Sequence, residues 1–209
     1  MRVVAIDGPS GSGKSTVSKA LAARLGLEHL DTGAMYRAVA FAALRRGIDP
    51  SDPAALARLV DDVQLEVGAD TVTVDGVDAT TAIRGAEVTG VVSQVATVPE
   101  VRNELRARQR QWIEARGGGV VEGRDIGSVV CPEADLKVYL TARLDVRAER
   151  RHGEDADHDY ERVAQLLVER DTTDANRSES PLVVAEGAVV VDTTDRTVAE
   201  IVDQLVSLL

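Results

Sequence analysis

Apolar positions along this chain fall into short runs separated by stretches of helical period. Residues 2–7 (Arg-Val-Val-Ala-Ile-Asp) form one run, a glycine- and serine-rich segment follows, and from there Val17, Leu21 and Leu25 recur at i, i+4 and i+8. That order reads as strand, loop, helix. Runs at 27–31, 119–123, 136–141 and 188–192 predict further strands, most of them separated by helix-like stretches, and a last helix is predicted over 198–208. Such alternation predicts an α/β fold, a largely parallel sheet of about five strands covered by helices on both faces.

Two stretches break the alternation. Residues 63–80 read Val-Gln-Leu-Glu-Val, a turn at 68–70, Thr-Val-Thr-Val and then Asp75-Gly76, a strong signal for a tight hairpin. A small antiparallel insert is predicted there. Residues 143–160 are highly charged, and 153–159 carry no apolar period, which predicts a flexible tip. The organisation expected is a single domain whose core spans 1–62, 98–142 and 161–209, with an insert at 63–97 and a helical lid at 143–160. The sequence has no internal repeat.

Composition narrows the functions open to such a fold. No apolar run in the 209 residues approaches the ~20 that a membrane span requires. A net charge of -11 and only 2% aromatic residues argue against nucleic-acid binding, which needs a positive field and stacking surfaces. The chain runs from Met1-Arg2 straight into a predicted strand, and Cys131 is its lone cysteine. Both agree with a cytoplasmic setting. Only Lys14, Lys19 and Lys137 are lysines, so arginine carries nearly all the positive charge and only arginines in placed motifs are informative.

Residues Gly8-Pro9-Ser10-Gly11-Ser12-Gly13-Lys14-Ser15-Thr16 satisfy G-x-x-x-x-G-K-[ST] between a strand and a helix, the context the pattern requires. Glycines let successive N–H groups turn around phosphate oxygens, and the helix N-terminus adds partial positive charge. In such a loop Lys14 bridges the β- and γ-phosphates and the Ser15 hydroxyl ligates Mg²⁺. A P-loop predicts triphosphate binding but not the fate of the γ-phosphate. A guanine switch would carry Asn-Lys-x-Asp, yet the only asparagines, Asn103 and Asn176, do not precede lysine. Nothing in the sequence supplies the inter-subunit parts of a motor.

Further motifs follow at predicted strand ends and helix starts: Asp31-Thr32-Gly33-Ala34-Met35-Tyr36-Arg37, Ser93-Gln94-Val95-Ala96, Arg102 after Pro99, Glu122-Gly123-Arg124-Asp125-Ile126-Gly127, and Glu169-Arg170-Asp171 with Asp174 and Arg177. In this order, over nearly the whole length, they resemble the bacterial cytidylate kinase family of P-loop nucleoside monophosphate kinases. The resemblance implies transfer of the ATP γ-phosphoryl to CMP or dCMP, with Mg²⁺ carried on the ATP, by a cytoplasmic enzyme for which a monomer suffices. It implies that residues 8–16 hold ATP and that Arg37, Arg124, Arg170 and Arg177 join Lys14 around phosphate. Thr32, Tyr36, Ser93, Arg102, Asp125 and Asp174 would read base and ribose, and Arg143, Arg147 or Arg151 would meet the transferring group from a lid.

The chemistry of cytosine agrees, because its exocyclic amine beside two acceptors calls for a carboxylate next to an arginine or hydroxyl. Uracil would set an oxygen against that carboxylate and be rejected. Arg170 continues the stripe Val163, Leu166, Leu167 at helical spacing and is expected to point inward, with Asp174 and Arg177 following at i+4 and i+7. Other readings stay open: Asp125 as a partner of Arg124 or an indirect Mg²⁺ ligand, Asp174 as a plain carboxylate near a helix end, Arg37 in a surface salt bridge. Arg143, Arg147 and Arg151 also fit a solvated face paired with Glu149, Glu154 and Asp155. Glu122 stands where the family has aspartate, Ser128 where threonine is common, and Thr173 and Ala175 where arginine can occur. His29, His152 and His158 fit no metal-ligand spacing, so no structural metal is expected. The competing functions are another small-molecule kinase, for shikimate or dephospho-coenzyme A, and a nucleotide sensor without turnover.

Overall fold

The structure, a computed structural model, describes residues 1–153, 159–177 and 179–209. The charged tip predicted over 153–159 lies, apart from its two ends, outside the described residues. In chain order the elements are β1 (Arg2–Asp7), α1 (Lys14–Leu25), β2 (His29–Asp31), α2 (Thr32–Arg45), α3 (Pro53–Asp62), β3 (Leu65–Val67), β4 (Val72–Val74), β5 (Val77–Asp78), α4 (Ala86–Val95), α5 (Pro99–Arg116), β6 (Gly118–Gly123), β7 (Leu136–Thr141), α6 (Leu144–His152), α7 (Tyr160–Ala175), β8 (Val189–Asp192) and α8 (Val198–Val206). They gather into two compact units, residues 1–29 with 113–209, and residues 30–112.

The five predicted strands make one parallel sheet in the order β2-β6-β1-β7-β8. The central strand β1 is buried from Val3 to Asp7, which is why its sequence is a continuous apolar run rather than an alternating one. Val4, Ile6, Val120, Val138, Leu140 and Val191 of the sheet pack with Val17 and Leu21 of α1 and with Ile201, Val202 and Leu205 of α8. Each such side chain contributes about 1.5–3 kcal/mol by leaving water. The run at 27–31 yields only a three-residue strand because the Leu27 N–H closes the end of α1 on the Ala22 carbonyl. A capping box between Thr197 and Glu200 starts α8 where the sequence predicts it. The connection leaving β1 leads past β6 to β2, whereas that leaving its neighbour β7 leads the other way to β8, and such a switch point is where open α/β sheets hold ligands.

In the second unit β3, β4 and β5 form the predicted antiparallel insert. Asp75 and Gly76, at φ 50° and 75°, make the tight turn that pairs Val74 with Val77. The Gly68 N–H donates to the Thr71 carbonyl at 2.8 Å and closes the other predicted turn. Asp31 caps α2 and Asp52 caps α3, each accepting from the backbone three residues on. Ala38, Val39, Leu56, Val60, Ile83, Val88, Val92 and Leu105 are buried.

Candidate active site

Four successive P-loop carbonyls each accept a side-chain hydrogen bond. Lys14 Nζ donates to the Pro9 carbonyl at 2.8 Å, Arg147 Nη1 to that of Ser10 at 3.2 Å, Arg150 Nη1 to that of Gly11 at 3.4 Å, and Thr193 Oγ1 to that of Ser12 at 3.0 Å. The Ser12 N–H also turns back to the Pro9 carbonyl at 3.4 Å, and a turn whose carbonyls are so engaged presents its remaining N–H groups to an anion. Two glycines make the packing possible. A Cβ on Gly8 would lie 2.1 Å from the Leu140 carbonyl oxygen, and one on Gly11 2.9 Å from that of Arg147, both at positive φ.

Just past the loop, Ser15 Oγ donates to Glu122 Oε2 at 2.9 Å, and His29 Nε2 lies 2.9 Å from Glu122 Oε1. Asp7, at the end of β1, accepts from the N–H groups of Ile126 and Gly127 at 2.9 and 2.8 Å, and so fixes a π-helical turn at Ile126–Val130 directly behind Asp125. Burial pushes the Asp7 carboxyl up to about 6, with those two N–H groups and Lys14 opposing the rise and the Asp125 charge adding to it.

Arg124, Arg170 and Arg177 surround one carboxylate. Arg124 Nε donates to Asp174 Oδ2 at 2.9 Å, and Arg177 Nη2 donates to Asp174 Oδ1. Burial by itself would raise Asp174, but the charges of Arg124, Arg177 and Arg170 outweigh it and hold the carboxyl below its ordinary value. A carboxyl with a depressed folded pKa contributes stability that is fully present above the unfolded value near 3.9 and is lost as pH falls through the depressed one. Removing the buried carboxylate takes the central anion from three half-buried arginines. Asp174→Ala is expected to cost about 3 kcal/mol at neutral pH, a drop of roughly 6–12 °C in Tm for a chain of this size. Thermal denaturation at pH 7 checks this, and an unchanged Tm would mean the cluster is not a stability element.

Arg147, buried on α6, also donates to Asp171 Oδ2 at 2.6 Å. Arg143 sits ahead of that helix, exposed, and pairs with Asp145 at 3.2 Å and Asp195 at 3.4 Å. Arg151 lines a half-open pocket of about 330 Å³ with Gly13, Val17, Arg150, Val198 and Ile201.

In the second unit Arg37 is buried rather than at a helix surface, and its Nη1 donates to the Ile83 carbonyl at 3.0 Å and Thr89 Oγ1 at 2.9 Å. Arg102 is 2% exposed, donates to the Ala96 carbonyl at 3.1 Å and stacks its guanidinium 5.5 Å from the Tyr36 ring centroid. Thr32 is buried at the start of α2, and Ser93 is half-buried on α4.

The family model for cytidylate kinase matches residues 4–209. The chain belongs to the cytidylate kinase family. Cytidylate kinases of Streptomyces avermitilis and Mycobacterium leprae are each 48% identical to it, covering 99% of this chain and 91% and 94% of theirs. That of Nocardia farcinica is 49% identical over 97% of this chain and 91% of its own. Among solved structures, a gluconokinase from Sinorhizobium meliloti superposes with TM-score 0.51 at 19% identity, covering 99% of this chain and 90% of that one. An uncharacterised protein from Eubacterium ventriosum does so at TM-score 0.55 and 11% identity, covering 99% and 97%. These two are alike in fold.

The arginines, Asp125 and the P-loop were all named as candidates from the sequence. Asp7, His29, Arg150 and Thr193 were not among the candidates. One signal for them was available, because Thr193-Thr194-Asp195-Arg196 is a polar run at the carboxyl end of a sheet strand, the same kind of position as the P-loop.

Proposed function

We propose that the protein transfers the γ-phosphoryl group of ATP to CMP or dCMP, giving ADP and CDP or dCDP. Membership of the cytidylate kinase family along nearly the full chain carries this reading. An acceptor phosphate is already a charged oxygen nucleophile, so transfer needs alignment and charge neutralisation but no general base. We assign Lys14 to the β- and γ-phosphates, Arg37, Arg124, Arg170 and Arg177 to the acceptor phosphate, and Thr32, Tyr36, Ser93, Arg102 and Asp125 to the nucleoside. Asp174 spaces the arginines when no nucleotide is bound and turns to the ribose when one is. Residues 63–97 serve as the acceptor-binding insert and 143–160 as the lid that brings Arg143, Arg147 or Arg151 to the transferring group and keeps water out. The pocket of Val17, Arg150, Arg151, Val198 and Ile201 suits the adenine ring, with aliphatic carbon and guanidinium groups to lie against a flat heterocycle.

The residues at the P-loop fit Mg²⁺: the Ser15 oxygen, exposed at the start of α1, has its proton directed to a buried carboxylate. Ser15 would hold the ion, which supplies charge neutralisation on the phosphates. All assigned groups come from one chain, so a monomer is the proposed working unit, and a lone cysteine suits the reducing cytoplasm. Among the described residues no helix is long and apolar enough to cross a membrane.

Coupled ADP release from MgATP, with CMP, dCMP, UMP, AMP, GMP, shikimate and dephospho-coenzyme A offered separately, tests the reading. Turnover concentrated on CMP and dCMP is expected. Preference for another acceptor would keep the P-loop and discard the cytosine assignment, and ATP binding without turnover on any would make the protein a sensor.

A further inference from the structure

Glu122 stands on β6 with three side-chain torsions, and such a chain lets its carboxylate wander unless something fixes it. Here it does not lie loose. The Glu122 side chain is 3% exposed and that of His29, on β2, is 6% exposed, and the two meet at 2.9 Å. A carboxylate only accepts hydrogen bonds, so His29 Nε2 carries the proton and donates to Oε1, while Ser15 Oγ donates its single proton to Oε2 at 2.9 Å. A hydroxyl that has given its proton in a fixed direction keeps two lone pairs facing away from the acceptor. For Ser15 that is the orientation a hard cation needs from an oxygen ligand.

We propose that His29 is a positioning residue for the metal-bound nucleotide: it holds Glu122 so that the Ser15 oxygen presents its lone pairs to Mg²⁺. This rests on the reading of Ser15 as a Mg²⁺ ligand in ATP-dependent transfer. His29 touches neither nucleotide nor metal in this role, and acts through Glu122 and then Ser15. Partners bonded directly to a metal ligand, as Glu122 is to Ser15, cost about 10–100-fold in metal affinity when lost, and His29, one bond further out, is expected at the lower end of that range. Their effect falls on the metal complex and leaves the bare ligand's binding alone.

The test compares His29→Phe and His29→Asn, neither of which places a donor at the Nε2 position, with His29→Gln, whose amide nitrogen reaches it. Calorimetry measures binding of ATP in EDTA and of ATP with Mg²⁺ to each, and kinetics give the Mg²⁺ concentration for half-maximal transfer. For His29→Phe and His29→Asn, MgATP binding is expected to weaken about tenfold and the half-maximal Mg²⁺ concentration to rise by a similar factor. Metal-free ATP binding and KM for CMP should stay within about twofold of the parent, and His29→Gln should recover most of the loss. Equal weakening of ATP and MgATP binding would overturn the proposal and make His29 a packing residue, as would an unchanged Mg²⁺ dependence. A parent protein that fails to phosphorylate CMP would instead defeat the underlying functional reading, and the two failures are distinguishable because one lies in the variants and the other in the parent. If His29→Phe does not fold, His29→Asn, polar and smaller, carries the comparison.

Discussion

Lys14→Ala is expected to cripple phosphoryl transfer to every acceptor, with a loss of roughly 10²–10³-fold in kcat, the scale seen when one preorganised donor aimed at a developing anion is removed. The argument is electrostatic. Lys14 is 8% exposed at the first turn of α1, and its ammonium waits on the Pro9 carbonyl at 2.8 Å, one of the engaged carbonyls of the P-loop. In that partly desolvated place a point charge between the β- and γ-phosphates offsets repulsion that water cannot screen. Alanine removes the charge and the hydrogen bond to Pro9, worth about 1 kcal/mol, so folding should survive. Lys14→Arg keeps the charge but replaces a compact ammonium by a wide planar fork, and it should not restore turnover. Steady-state ADP release with CMP, beside calorimetric ATP binding on the same samples, checks both points. Near-normal turnover in the alanine variant would overturn the P-loop assignment.

Local pattern was enough to read most of the frame. Apolar runs located all five strands of the main sheet, most plainly β1 and β6, which are buried on both faces, and Asp75-Gly76 located the hairpin because few other pairs accept two positive φ angles. Boundaries slipped where a neighbouring element competed for the backbone, as Leu27 does when its N–H closes α1 instead of entering β2. Motif spacing and family resemblance together named Lys14, Arg124, Asp125, Asp174 and Arg177. What stayed hidden is the set of contacts between residues far apart in the chain. Ser15 and Glu122 are 107 residues apart, His29 and Glu122 are 93, and Thr193 and Ser12 are 181. A histidine opening a short strand and a threonine after another carry no local sign of these partners. The charged stripe of Arg143, Arg147 and Arg151 illustrates the same limit, since helical spacing puts them on one face, yet Arg143 precedes the helix and pairs at the surface while Arg147 is buried against the Ser10 carbonyl.

Asp125→Asn is expected to lower kcat/KM for CMP by roughly 10–100-fold, the equivalent of the 1.5–3 kcal/mol carried by a hydrogen bond to a charged group, while KM for MgATP changes little. The substitution keeps shape and exchanges a pure acceptor for an amide that also donates. Asp125 is 5% exposed, so water cannot easily take the place of a lost partner. Its backbone is secured independently, because Asp7 grips the N–H groups of Ile126 and Gly127, and the Asp125 carbonyl accepts from Val129 and Val130 at 2.9 and 3.1 Å. Loss of the negative charge should also lower the Asp7 pKa from about 6, since Asp125 is one of the charges that raises it. The effect on base choice is the sharper readout. Cytosine's amine meets an amide that offers one acceptor and two competing protons, whereas uracil's oxygen now finds a donor where a carboxylate repelled it. The ratio of kcat/KM for CMP to that for UMP at saturating MgATP should therefore fall further than the CMP value alone. CMP kinetics left intact in Asp125→Asn would remove this residue from base reading and leave Arg102, Ser93 and Tyr36 to account for it.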